Sequence, residues 1–101
     1  MKEIEETNFF EEVKEGITLV DFYATWCGPC RMLHPIIEDL SNERSEVTFK
    51  QIDVDKAPNI SKEYGVMSIP TLILFKDGKE VATTVGFMKK EELTSWIEKM
   101  I

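Results

Sequence analysis

The chain has 101 residues, enough for one domain around one core, with 43% hydrophobic and 31% charged residues, a balance that excludes disorder and fibrous repeats. Twelve basic against 19 acidic residues give a formal charge of −7 and a pI near 4.7, which repels nucleic-acid phosphates and anionic lipid alike. Met1 to Asn8 have neither the apolar core nor the cleavage site of a secretory signal, and no stretch approaches the roughly 18 apolar residues of a membrane span, so a soluble, cytoplasmic protein is expected.

No repeat, low-complexity tract or flexible linker divides the sequence, so residues 1–101 are read as a single domain. Lys2–Glu6 reads as a weak edge strand. Asn8, followed three residues later by Glu11, predicts a helix start with a capping box, continued by Phe9, Phe10 and Val13 and stopped at Gly16. Ile17–Tyr23 is rich in β-branched and aromatic residues and reads as a strand buried on both faces. Leu33, Ile36, Ile37 and Leu40 predict an amphipathic helix reaching Asn42, with Pro35 inside it as a kink that packs the helix over the sheet. Val47–Val54 is a strand, and Ile60 and Tyr64 mark a short helix ended by Gly65. Thr71–Phe75 and Glu80–Val85 flank the hairpin turn Lys76-Asp77-Gly78-Lys79. Leu93, Trp96, Ile97, Met100 and Ile101 form the apolar stripe of a last helix, with Glu91 and Glu92 near its positive end.

The order βαβαβαββα predicts an α/β fold: a mixed sheet in which helices make parallel crossovers and the hairpin adds an antiparallel pair, with helices on both faces. In such a sheet the natural sites are the C-terminal ends of parallel strands and the helix N-termini that follow them.

Cys27 and Cys30 stand at one such junction. Cys27 falls near the helix N-cap, where unpaired N–H groups and the helix dipole favour a thiolate. Pro29 suits the first helical turn, and Gly28 leaves the approach to Cys27 open. About 100° per residue turns Cys30 inward beside Leu33 and Ile37 and leaves Cys27 facing solvent. One ionisable sulfur outside and one sheltered sulfur within reach are what thiol–disulfide exchange needs: Cys27 attacks a target disulfide, and Cys30 resolves the mixed disulfide. Zinc is the competing reading, with Cys27, Cys30 and His34 as ligands. A structural zinc site wants four ligands, and the chain has no further Cys or His. His34 otherwise reads as a boundary residue of the helix.

Trp26-Cys27-Gly28-Pro29-Cys30, preceded by Val20-Asp21-Phe22-Tyr23-Ala24, resembles the active site of the thioredoxin family. Pro35, Ile69-Pro70-Thr71 and Val85-Gly86 match the family's remaining marks in order, so the resemblance covers essentially the whole chain. It implies the thioredoxin fold and a protein-disulfide reductase, a general intracellular electron donor, with Cys27 as nucleophile and Cys30 as resolving thiol of a redox-active disulfide. Asp21, beneath the site, would relay a proton to or from Cys30, and Gly28 and Pro29 would tune the potential. Pro70 would be cis and face the cysteines; Trp26, Ile69, Pro70, Thr71 and Gly86 would dock an extended substrate segment. No metal and no bound cofactor are implied. The implied partners are a thioredoxin reductase and disulfide-bearing target proteins, met by a monomer.

Three positions depart from the family's pattern. Gln51 stands where a buried lysine often neighbours the aspartate, and strand alternation turns Lys50 to the opposite face, so burial alone should raise the pKa of Asp21. Tyr23 replaces a frequent tryptophan, and Met67 an often basic loop residue. A thiol oxidase or isomerase, and a binding module whose cysteines are incidental, are the alternatives; the Gly28-Pro29 dipeptide and the lack of a signal favour the reductase.

Overall fold

Alternating and three-to-four-residue apolar spacings become five strands and four α-helices in the computed structural model, which describes every residue from Met1 to Ile101. In chain order they are β1 (Lys2–Glu3), α1 (Phe9–Val13, entered through a 3-10 turn at Glu6–Asn8), β2 (Ile17–Tyr23), α2 (Gly28–Glu43), β3 (Val47–Asp53), α3 (Pro58–Glu63), β4 (Thr71–Lys76), β5 (Lys79–Val85) and α4 (Lys90–Met100). The sheet order is β1-β3-β2-β4-β5. No helix is long and apolar enough to cross a membrane.

Apolar side chains of the central strands leave both faces of the sheet dry. On one face Leu19, Phe49, Leu72 and Leu74 pack against Leu33, Ile37 and Leu40 of α2 and Leu93 and Ile97 of α4. On the other, Val20, Phe22, Ile52, Ile73 and Phe75 meet Phe9 and Val13 of α1 and Ile60 of α3. Phe9 is the hub there, with ring centroids 5.4 Å from Tyr64 and 5.6 Å from Phe75. The Phe9–Tyr64 rings are tilted and the Phe9–Phe75 rings meet edge-on, and such aromatic pairs add to the burial of area.

One expectation about direction is overturned. β1, β3 and β2 are parallel, but β4 runs antiparallel to β2 even though α3 separates it from β3. A helix of six residues advances about 9 Å, against about 23 Å for the seven-residue β3. The chain therefore stays at the end of the sheet where β3 finishes and enters β4 from there. Thr71 pairs with Phe22, near the exit of β2.

Several local readings also change. The Asn8 side chain does not cap α1; its Oδ1 accepts the Glu5 N–H at 2.9 Å, because residues 6–8 form their own tight turn first. Phe10, Met100 and Ile101 point outward rather than joining the core. Pro35 also faces solvent, so it acts on the course of α2 only through its own backbone. The hairpin turn is as expected, with Asp77 and Gly78 both at positive φ (50° and 85°). Asp77 also holds the start of β2: its Oδ1 accepts the Gly16 N–H, and its N–H donates to the Gly16 carbonyl, each at 2.9 Å.

Candidate active site

The site forms where β2 ends. Cys27 is the N-cap of α2, with extended backbone (φ −90°, ψ 113°), and its Sγ accepts the Cys30 N–H at 3.2 Å. That bond satisfies one of the unpaired donors at the helix start and aims a partial positive charge at the sulfur. Gly28 and Pro29 fill the first helical positions, and a Cβ added to Gly28 would touch nothing within 4 Å. Cys30 packs with Ala24 and Cys27 against Tyr23 and Ile69. The two sulfurs are bonded to each other, with the Cα atoms 5.3 Å apart. In this disulfide the expected contrast in exposure is small, 5% for Cys27 and 3% for Cys30. What separates the sulfurs is the helix N–H that Cys27 receives.

The chain after α3 closes over this pair. The Ile69–Pro70 peptide is cis, as expected, and the Ile69 carbonyl oxygen lies 3.9 Å from Cys27 Sγ. Gly86 donates its N–H to the Pro70 carbonyl at 2.8 Å, which joins the start of β4 to the exit of β5. Trp26 is 66% exposed, and its Nε1 donates to Asp55 Oδ2 at 2.8 Å. Ile69 and Gly86 are half-buried, while Pro70 and Thr71 are buried. The Thr71 hydroxyl turns back to the Ser68 carbonyl, so at this point the surface offers backbone rather than side chain. Met67, at 94% exposure, and Phe87, beside Gly86, extend the apolar rim.

Beneath the cysteines lies Asp21, 1% exposed, with Oδ1 lacking any hydrogen-bond partner. Burial, and second the charge of Glu3, push its carboxyl up to about 7. Asp21 and Cys30 line one cavity of about 160 Å³, together with Tyr23, Arg31, His34 and Gln51. Gln51 is the cross-strand neighbour of Asp21. Lys50 points the other way, with Nζ donating to the Glu12 carbonyl at 2.6 Å and to Glu12 Oε1 at 2.8 Å. No cation therefore reaches Asp21 from β3. His34 is half exposed, 3.6 Å from the Glu38 carboxylate, as befits a boundary residue. A larger hollow of about 320 Å³, between residues 3–7 and Ile52–Ala57, contains neither sulfur. Size alone does not mark this site.

The thioredoxin family model matches residues 1–99. The chain belongs to the thioredoxin family. It is 47% identical to the thioredoxin of Listeria monocytogenes serovar 1/2a over 102 residues, covering 100% of this chain and 99% of that one. Identity is 52% to the thioredoxin of Chlamydia pneumoniae (98% of this chain, 97% of that one) and 47% to that of Chlamydia trachomatis serovar D (95% and 94%). The fold is the thioredoxin fold, the chemistry of the family is protein-disulfide oxidoreduction, and Cys27 and Cys30 are close enough to form a disulfide.

Sequence reading missed two features of this thioredoxin-fold site. Asp55, which lies in no motif of the sequence, anchors Trp26. Glu3, in the sequence only one residue of a weak edge strand, accepts at its Oε1 from Tyr23 Oη at 2.8 Å and Gln51 Nε2 at 2.7 Å. Neither has a local signal, because both act across strands.

Proposed function

We propose that this one domain, residues 1–101, works in the reducing direction, as an electron donor to protein disulfides. One observation carries the assignment of roles: Cys27 Sγ receives the Cys30 N–H at the start of α2, while Cys30 borders the cavity of Asp21. In the dithiol form the Cys27 thiolate attacks one sulfur of the target disulfide. A Cys27–target bond forms, and the target's other sulfur leaves as thiolate and takes a proton from solvent. Cys30 then passes its proton to the Asp21 carboxylate and attacks Cys27 Sγ. The Cys27–Cys30 bond forms, and the second target sulfur leaves with its electron pair. Two electrons have moved to the target, and the domain ends as the disulfide. At about 160 Å³, against about 30 Å³ for one water molecule's share of the liquid, the cavity has room for water to carry the proton.

Trp26, Ile69, Pro70 and Gly86 border the cysteines and supply the docking surface, Thr71 contributes main chain, and Gly28 and Pro29 set the potential through the first turn of α2. The redox centre is the sulfur pair itself. A thioredoxin reductase recharges it, and the domain acts as a cytoplasmic monomer on targets with accessible disulfides. Reduction of a disulfide-bonded model protein by wild type, Cys27→Ser and Cys30→Ser tests this. Cys30→Ser should stall as a covalent adduct through Cys27, and Cys27→Ser should lose all reduction. A Cys27→Ser protein that keeps the biological activity of wild type while reducing nothing would return the domain to the class of binding modules.

A further inference from the structure

The sheet register lays Glu3, Gln51 and Asp21 side by side on adjacent strands, Glu3 opposite Gln51 and Gln51 opposite Asp21. Cross-strand neighbours share a face of the sheet, here the α2 side. Tyr23, two residues beyond Asp21 on β2, shares that face and bonds the same Glu3 oxygen that Gln51 does. Gln51, the cross-strand neighbour of Asp21, carries an amide N–H pair able to donate. Its amide nitrogen is instead committed to Glu3, and Asp21 Oδ1 is left without a partner.

We propose that Glu3 is a positioning residue that sets when Asp21 gives up its proton, by holding the Gln51 amide away from it and by adding a second negative charge to the row. Both effects disfavour the Asp21 carboxylate, as a neighbouring like charge and a missing donor must. They act with the burial of Asp21, which is the larger cause of its raised proton affinity. The groups facing Asp21 from the packed elements are few. Tyr23 comes from β2 itself, Glu3 from β1, Gln51 and, one step along, Asp53 from β3, and Cys30, Arg31 and His34 from α2; the β4 neighbour is the apolar Leu72. Tyr23 stays neutral, its phenol held above the usual range by burial first and then by its bond to Glu3. Asp53, the β3 neighbour of Tyr23, is the other carboxylate on this face, but the charge that raises Asp21 is that of Glu3.

The inference rests on the reading of Asp21 as the proton acceptor for Cys30, and its test separates the two. The Asp21 carboxyl is titrated by carbon-13 NMR in wild type, Glu3→Gln, Tyr23→Phe and the remote charge control Glu91→Gln, each folded by circular dichroism. In parallel, the pH profile of mixed-disulfide resolution is measured for the same proteins and for Asp21→Asn. In Glu3→Gln the Asp21 midpoint should fall on the order of one pH unit, the size of one carboxylate charge across a strand. At pH 6 the ionised fraction, and with it the resolving rate, would rise about fivefold. Tyr23→Phe removes one of the two anchors of Glu3 and should move the midpoint the same way by less, while Glu91→Gln leaves it in place. An unmoved midpoint in Glu3→Gln overturns the inference. Resolution unaffected by Asp21→Asn overturns the proton-acceptor reading instead, and the titration still reports on Glu3.

Discussion

Asp21 stores an unfavourable charge, and the pH dependence of folding should reveal it. Below about pH 3 the carboxyl is protonated in both folded and unfolded chains and has no effect on the balance. As pH rises the unfolded chain loses this proton first, near 3.8, while the folded protein holds it to about 7. Stability is therefore lost across that window, and the loss is complete above it. At about 1.4 kcal/mol per pH unit the full penalty is about 4 kcal/mol. Asp21→Asn should exceed wild type in urea-unfolding stability by up to that amount near pH 8, with the gap closing toward pH 3. A gap independent of pH would mean that Asp21 is not the buried acid described here. Its burial was legible in the sequence, because apolar residues flank it on both sides within one strand. So was the loss of a cationic neighbour, since alternation alone separates Lys50 from Gln51. Glu3 was not legible: a two-residue strand has no periodicity to read, and its partners lie 20 and 48 residues away.

At the scale of elements, α3 decides more than its six residues suggest. Its shortness keeps the chain at the active end of the sheet, reverses β4 and so brings Ile69 and Pro70 over the cysteines. Hydrophobic spacing predicted that α3 exists, but spacing does not say where a helix delivers the chain. Nor could it show how α3 starts. Ala57 offers no capping side chain, and Glu6, from the 3-10 turn before α1, takes that role. Its Oε1 accepts the Asn59 N–H at 2.7 Å and the Ile60 N–H at 2.9 Å. A cap supplied from 53 residues away leaves no motif in the sequence around the helix. Glu6→Ala should cost about 1 kcal/mol, the usual value of an N-cap. Hydrogen exchange should show the loss concentrated in the Asn59 and Ile60 amides. Uniform loss of protection across the sheet would assign Glu6 a different role.

Over the whole molecule, the chain's −7 charge bears on which targets meet the cysteines and how fast. The molecule extends 31 × 31 × 20 Å, so at about 10 mM salt, where the screening length is about 30 Å, an approaching protein feels the net charge before any local pattern. At about 0.5 M salt the field dies within a few ångströms of the surface, and only the apolar rim around Trp26, Met67 and Phe87 is left to select. Two disulfide substrates matched in reactivity but opposite in net charge should therefore diverge at low salt. The rate constant for the basic substrate should fall as salt is added and that for the acidic one should rise, each by roughly threefold to tenfold. The two should converge at high salt on a value set by docking and by the thiolate of Cys27. Stopped-flow rates that ignore salt for both substrates would mean that basic side chains near the site cancel the long-range field, and that selection rests on the apolar rim from the first encounter.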